Sequence, residues 1–184
     1  MKKLTLLLAF GFILSCAPLL CRPDQALLLN HLEDRAPEKY TSQLLISYGV
    51  LKVPVKVEKD KDNYRVESAR FGGFSFDRKG LCLNGVCIDI PFSIDGIIFG
   101  KMLTGEEKPS CTSEGLVLSR DTDAYLVKHY FVNNQLAKVE VFDKKKDRLI
   151  TLTYGQKAPE GYYRRVKVNW EDFTFTINVE EVKF

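Results

Sequence analysis

Histidine is scarce in this chain. His31 and His129 are the only two in 184 residues, and neither stands beside a nucleophile motif, so acid–base and triad chemistry have little to work with. Gly-x-Ser-x-Gly, a phosphate-binding glycine loop and a metal-spaced cluster are missing as well, which removes the common signatures of hydrolase, nucleotide and metal chemistry. The five cysteines include no Cys-x-x-Cys pair, and that makes a zinc site a weak reading of them. We therefore expect no enzyme and no cofactor. His31, in a leucine-rich segment, and His129, in an alternating one, read as ordinary surface or core residues.

Long apolar runs are also few, and the one present sits at the start. Lys2 and Lys3 precede residues 4–14 (LTLLLAFGFIL), a run long enough for an export signal and too short to span a bilayer. Ile13-Leu14-Ser15-Cys16 follows and resembles the bacterial lipobox, with a small residue before a cysteine whose thiol takes diacylglycerol. Residues 1–15 are expected to be removed, leaving Cys16 as a lipidated N-terminus; the plain alternative is an ordinary cleaved signal. Each buried CH₂ of an acyl chain adds about 0.8 kcal/mol to anchoring, so several chains hold firmly. Cleavage takes away Lys2 and Lys3, and the formal net charge falls from +3 to +1. Nothing in that balance points to nucleic acid.

What remains is 45% hydrophobic and 11% aromatic over the whole sequence, which fits one folded domain with a real core. Residues 16–23 form a tether. Asp24 resembles an N-cap, and Ala26, Leu27, Leu28, Leu29 and Leu32 predict a helix that Pro37 ends. From Ser42 the period changes to two: Leu51, Val53, Val55 and Val57 alternate with polar residues, with Pro54 suggesting an edge or a bulge. Tyr64, Val66 and Ser68 predict a second strand, and Gly72-Gly73 precedes Phe74 and Phe76. Residues 88–105 are apolar at closer to helical spacing and predict one or two short helices, while residues 106–113 read as a polar loop carrying Cys111. Glu106-Glu107-Lys108 and Lys144-Lys145-Lys146 read as solvated turns.

The rest is an antiparallel meander, with turns expected at Asn133-Asn134, residues 144–147 and Glu171-Asp172. In the last hairpin Val166, Val168 and Trp170 share a face with Phe173, Phe175, Ile177 and Val179, and Lys167, Asn169, Thr174 and Thr176 face away. The export signal implies an oxidising compartment, where disulfides form. Cys82 and Cys87 flank an Asn84-Gly85 hairpin turn and fall opposite each other, so a cross-strand disulfide is plausible there. Cys21 and Cys111 are left over; whether they pair is open. The predicted class is α+β, a long antiparallel sheet curling around two or three helices. Its concave face either holds acyl chains or is filled by the helices as plain core, and the pattern alone favours the filled core.

The order of these pieces resembles the LolA/LolB-like superfamily, the periplasmic lipoprotein carrier and its outer-membrane receptor. The resemblance lies in Tyr48-Gly49-Val50-Leu51-Lys52-Val53, Asp62-Asn63-Tyr64-Arg65-Val66-Glu67, Phe71-Gly72-Gly73-Phe74-Ser75-Phe76, the segment from Ile90-Pro91 to Leu103-Thr104-Gly105, and the last two strands. It covers most of residues 24–184. It implies an unclosed half β-barrel with an N-terminal helix and a short helical lid, and a lipidated chain is closer to the receptor than to the soluble carrier. It further implies binding of acylated lipoproteins or lipids, delivery by a soluble LolA-like carrier, and insertion into the outer membrane, with the inner membrane as the alternative; Ala17 follows the lipid cysteine where an aspartate can signal inner-membrane retention. Val53, Val55, Tyr64, Phe74, Ile98, Met102, Val166, Val168, Phe175 and Ile177 would be wall or lid of the lipid cavity, and Leu81, Leu83 and Val86 a membrane-contact loop. The rival is an envelope-assembly scaffold using the same curved sheet for protein contact.

The anchor has its own test. Replacing Cys16 by Ala is expected to release the protein into the soluble fraction and to stop cleavage after Ser15; fractionation and intact-mass measurement read both, and an unchanged product refutes lipidation.

Overall fold

The computed structural model describes residues 36–68, 72–77, 80–83, 86–88, 92–113 and 115–184, with backbone alone over residues 72–88. The expected signal, tether and N-terminal helix lie outside these residues, as do the side chains of Phe74, Leu81, Leu83, Val86, Cys82 and Cys87.

Alternating sequence produces a sheet of thirteen strands among the described residues, in the order β6-β5-β4-β3-β2-β1-β13-β12-β11-β10-β9-β8-β7. β1 (Lys39–Tyr48), β2 (Leu51–Asp60), β3 (Asn63–Ser68), β4 (Gly72–Asp77), β5 (Gly80–Leu83) and β6 (Val86–Ile88) run outward from the middle to one edge. β7 (Lys108–Thr112) forms the other edge, and β8 (Gly115–Asp121), β9 (Tyr125–Val132), β10 (Gln135–Asp143), β11 (Arg148–Tyr154), β12 (Arg165–Trp170) and β13 (Phe173–Lys183) return to pair with β1. Between the edges the chain makes one helix, α1 (Ile94–Phe99). β6 and β7 are not neighbours in the sheet, so the barrel is unclosed, and α1 is the chain's passage from one edge to the other. Bulges at Glu180 in β13, opposite Gln43/Leu44, and at Ala137 in β10, between Leu136 and Lys138, break the ladder register; such bulges sharpen local twist, which helps a sheet curl.

Turn chemistry fixes the hairpins. Asn133 and Asn134 both take positive φ, 50° and 63°, the two-residue geometry whose twist matches that of paired strands. In the β12–β13 hairpin Val166 faces Ile177 and Val168 faces Phe175, with Lys167 opposite Thr176 and Asn169 opposite Thr174, the alternation expected from sequence. Phe173 departs from it. Trp170 pairs with Phe173, but Phe173 is 54% exposed, because the hairpin end projects past the packed layer.

Two other expectations change. Residues 108–112, read as polar loop, are the edge strand β7: all five are exposed, and their strand geometry comes from pairing with β8, not from their own propensity. Pro54 lies in an interior strand opposite Leu45 without a bulge on that ladder. The β2–β3 ladder begins only at Val55, opposite Ser68, so Pro54 sits just past the end of β3 and its missing N–H is asked for on one side only. Among the described residues the apolar stretch at 88–105 gives one short helix of six residues, within the one or two expected, ended by Gly100 at φ +71°.

The core is one cluster on the concave face. Val139, Leu152, Val166, Val168 and Ile98 are fully inaccessible. His129 joins them at 1% exposure. It sits between Leu118 of β8 and Val139 of β10, with Nδ1 3.4 Å from the Leu118 carbonyl oxygen and Nε2 without a hydrogen-bond partner among the described residues. Burial pushes the imidazole from 6.5 down to about 4, against the opposing pull of the Glu107 carboxylate and the Leu118 carbonyl. It is therefore neutral in the native state.

Below pH 6.5 the unfolded chain takes up this proton and the native chain resists until about pH 4. Stability present above that window is thus lost on acidification through it, by about 3 kcal/mol. Urea unfolding at pH 7 and pH 4 is expected to show His129→Leu losing that much less than the parent; equal losses would refute the neutral buried imidazole.

Candidate functional site

A six-residue helix is too short to stand alone, so α1 depends on what holds it to the sheet. Ser93 caps its start, the hydroxyl accepting from the Gly96 N–H at 2.9 Å. Ile94, Ile98 and Phe99 are buried in the concave core. The Tyr154 hydroxyl of β11 donates to the Gly96 carbonyl at 2.8 Å, and the Tyr163 N–H donates to the Ile98 carbonyl at 2.8 Å. Gly96 lets the Met102 side chain lie directly against the helix, where a Cβ would force Met102 to shift. The Tyr163 and Tyr154 rings meet at a tilt of 58° with centroids 4.7 Å apart, and Phe99 meets Tyr40 edge to face at 5.1 Å.

The polar clasp is Asp95. Its Oδ1 accepts from the Tyr40 hydroxyl at 2.8 Å, its Oδ2 from Lys59 Nζ at 2.6 Å, and the Tyr64 hydroxyl bonds to it as well. The Lys59 and Asp95 side chains are 8% and 13% exposed, so the pair is largely out of water. Lys59 Nζ also lies 5.7 Å from the Tyr40 ring centre and 5.5 Å from that of Tyr64, where the ring faces attract a cation. Burial, reinforced by the Asp95 charge and hydrogen bond, drives both phenols well above their ordinary range. They remain donors at every pH of interest. β1, β2 and β3 are thereby tied through one carboxylate to the start of α1.

Two cavities open at this end of the sheet. One, of about 500 Å³, is bounded by Phe99, Leu103, Phe131, Leu136 and Tyr163, with Lys59, Lys61, Lys101 and Lys157 among its polar groups. The other, of about 510 Å³, lies against Tyr40, Tyr64, Arg65 and Phe184. Lys59 lines both. Volumes of this size are those of small-ligand sites.

The structure places nine of the ten expected wall and lid residues in one body of contacts. Val55, Ile98, Val166, Val168 and Ile177 are buried in the core cluster, and Val53, Tyr64, Met102 and Phe175 are partly buried against it; Phe74 falls outside the described side chains. Of these, Tyr64 alone lines either cavity. The other eight are packed core in this conformation. Among the cavity-lining groups that sequence reasoning missed are Lys59, Asp95, Phe99 and Tyr163. Lys59 ends the run Val53, Val55, Val57 on the inward face of β2, and that parity was the available signal. Among the described residues no group of three metal-ligating side chains forms. Backbone pairing sets Cys82 directly opposite Cys87 across β5 and β6.

At the opposite end of the sheet the hairpin tips expose apolar side chains. Val50 is completely exposed, and Tyr48, Leu51, Leu149 and Phe173 are each about half so.

Removing Asp95 strands Lys59 beside two phenol hydroxyls. Asp95→Ala is expected to destabilise the protein by about 3 kcal/mol, and Lys59→Met with Asp95→Ala by less, as read by urea unfolding; equal costs would show that the two do not act as a pair.

No family profile matches the chain, and no curated protein matches it. Solved structures do. A LolA superfamily protein from Nitrosomonas europaea matches at 16% identity over 87% of this chain and 92% of that one, with a TM-score of 0.54. A domain predicted to be an outer membrane lipoprotein-sorting protein from Vibrio parahaemolyticus matches at 12% identity, 86% and 91% coverage, and a TM-score of 0.50. A DUF1329 family protein from Desulfovibrio piger matches at 12% identity, 86% and 90% coverage, and a TM-score of 0.50. The unclosed antiparallel half-barrel of this chain is the LolA-like fold.

Proposed function

We propose that this chain is a lipid-anchored protein facing the periplasm, which binds acyl chains of lipoproteins or lipids against its concave face and helps place them in the outer membrane. The observation that carries this reading is α1 seated in the mouth of a curved apolar sheet with two cavities beside it. The likeness in fold to a LolA superfamily protein and to a predicted lipoprotein-sorting domain supports the same reading and an envelope location.

The transfer is passive. An arriving chain enters beside Phe99 and Tyr163, displaces α1 from part of the concave wall, and rests on Val55, Val166, Val168 and Ile177. It leaves when the bilayer offers greater apolar burial, and no nucleotide is consumed. Met102 suits the lid because its unbranched side chain repacks readily. The exposed tip around Val50 is the surface we assign to bilayer contact, with the separate β5–β6 hairpin of Leu81, Leu83 and Val86 as a second one, since apolar residues gathered at one end of a sheet mark an interaction site. A disulfide between Cys82 and Cys87 would stiffen that second hairpin. No catalytic step is assigned to any residue.

The scaffold reading is favoured by a different observation. Ile98, Val166 and Val168 have no accessible surface, so the wall is closed as it stands and the sheet could serve as a rigid platform for a protein partner.

Native mass spectrometry of the exported chain carrying Cys16→Ala, mixed with a tri-acylated lipoprotein, is expected to show a one-to-one complex that the same protein without its acyl chains does not form. Absence of that complex would overturn the transfer reading and leave the scaffold.

A further inference from the structure

Lys59 is a cation almost wholly withdrawn from water, and it lines both cavities. A buried ammonium needs an anion close by. Asp95 supplies it from α1, whereas Lys59 belongs to the sheet. The carboxylate has other donors, the hydroxyls of Tyr40 and Tyr64. If another anion took Lys59, Asp95 would keep two hydrogen bonds and Lys59 would keep a counter-ion. Neither charge would be left bare, which makes the exchange feasible in a site where simple breakage is costly.

The surroundings suit such an anion when it carries a chain. Phe99, Leu103, Phe131 and Leu136 give the first cavity an apolar side, and Lys61, Lys101 and Lys157 stand on its polar side against Glu38 and Asp62.

We propose that Lys59 recognises the head group of an anionic amphiphile, a phosphate or carboxylate on an acyl chain, whose oxygens replace Asp95 Oδ2 on Nζ and so release the start of α1 from β2 while Tyr40 and Tyr64 still hold it. This rests on the acyl-binding reading above and adds to it a ligand class and a trigger. A neutral acyl chain fits the apolar side but leaves the Lys59–Asp95 pair closed.

The test is calorimetric titration of the exported Cys16→Ala chain, below the critical micelle concentration, with oleate, an oleoyl lysophosphatidylglycerol and mono-oleoylglycerol. At least one anionic probe is expected to bind ten-fold or more tightly than the neutral one, with the preference shrinking as salt rises; which of the two is preferred identifies the head group as carboxylate or phosphate. The charge-neutral double variant Lys59→Met, Asp95→Asn is expected to bring the anionic-to-neutral ratio to about one, and Asp95→Asn alone to raise anion affinity several-fold by removing the competing carboxylate. Equal binding of all three probes by the parent, or an undiminished ratio in the double variant, overturns the assignment of Lys59. Binding of none of the three overturns the acyl-binding reading itself, so the two failures are distinguishable.

Discussion

A thirteen-stranded sheet with one apolar face must cover that face, and the cover here is the chain's own crossing from β6 to β7. Ile94, Ile98 and Phe99 turn into the concave layer on that crossing, and the sheet curls because they are there to be enclosed. α1 is too short to be a stable helix by itself. It persists because Tyr154 and Tyr163 take its carbonyls and because Asp95 ties its first turn to three strands. The apolar contacts set how tightly the helix sits, and the carboxylate sets where.

That division matters for anything the sheet could hold. Apolar packing is graded and tolerates a chain sliding in beside it, while a buried ion pair is closed or open. Lys59 and Asp95 come from opposite sides of the mouth, so the most discriminating contact in the site is also the one joining lid to wall. The expected wall residues Val166, Val168 and Ile177 sit behind it, fully packed.

Much of the sheet is legible from residues alone. Alternation along β2, β12 and β13, the Asn133-Asn134 turn and the Glu171-Asp172 turn follow from local geometry, and the pairing of Cys82 with Cys87 follows from the Asn-Gly between them. Strands whose own residues are polar are not legible: Lys108–Thr112 becomes a strand because β8 offers it a ladder. Phe173 looks like core by parity and projects into solvent because parity does not say where the packed layer ends. His129 shares the inward parity of Val127 and Phe131 in β9, but parity does not say that a histidine is fully enclosed; Leu118 and Val139 complete that from the strands beside β9.

The sequence by itself determined that the chain alternates into an antiparallel sheet, that a short apolar segment interrupts it, and that no catalytic or metal constellation is written in its motifs. Those are properties of near neighbours, decided by the two-residue period, by turn residues and by what is missing. Only the tertiary structure decided how the interrupting segment packs on the concave face, that most of the expected wall residues are packed core, and that the start of α1 is held by Lys59 and Asp95. The two are 36 residues apart, on a strand and a helix that no local pattern relates. Their contact exists because a curled sheet buries a lysine that has to find a carboxylate.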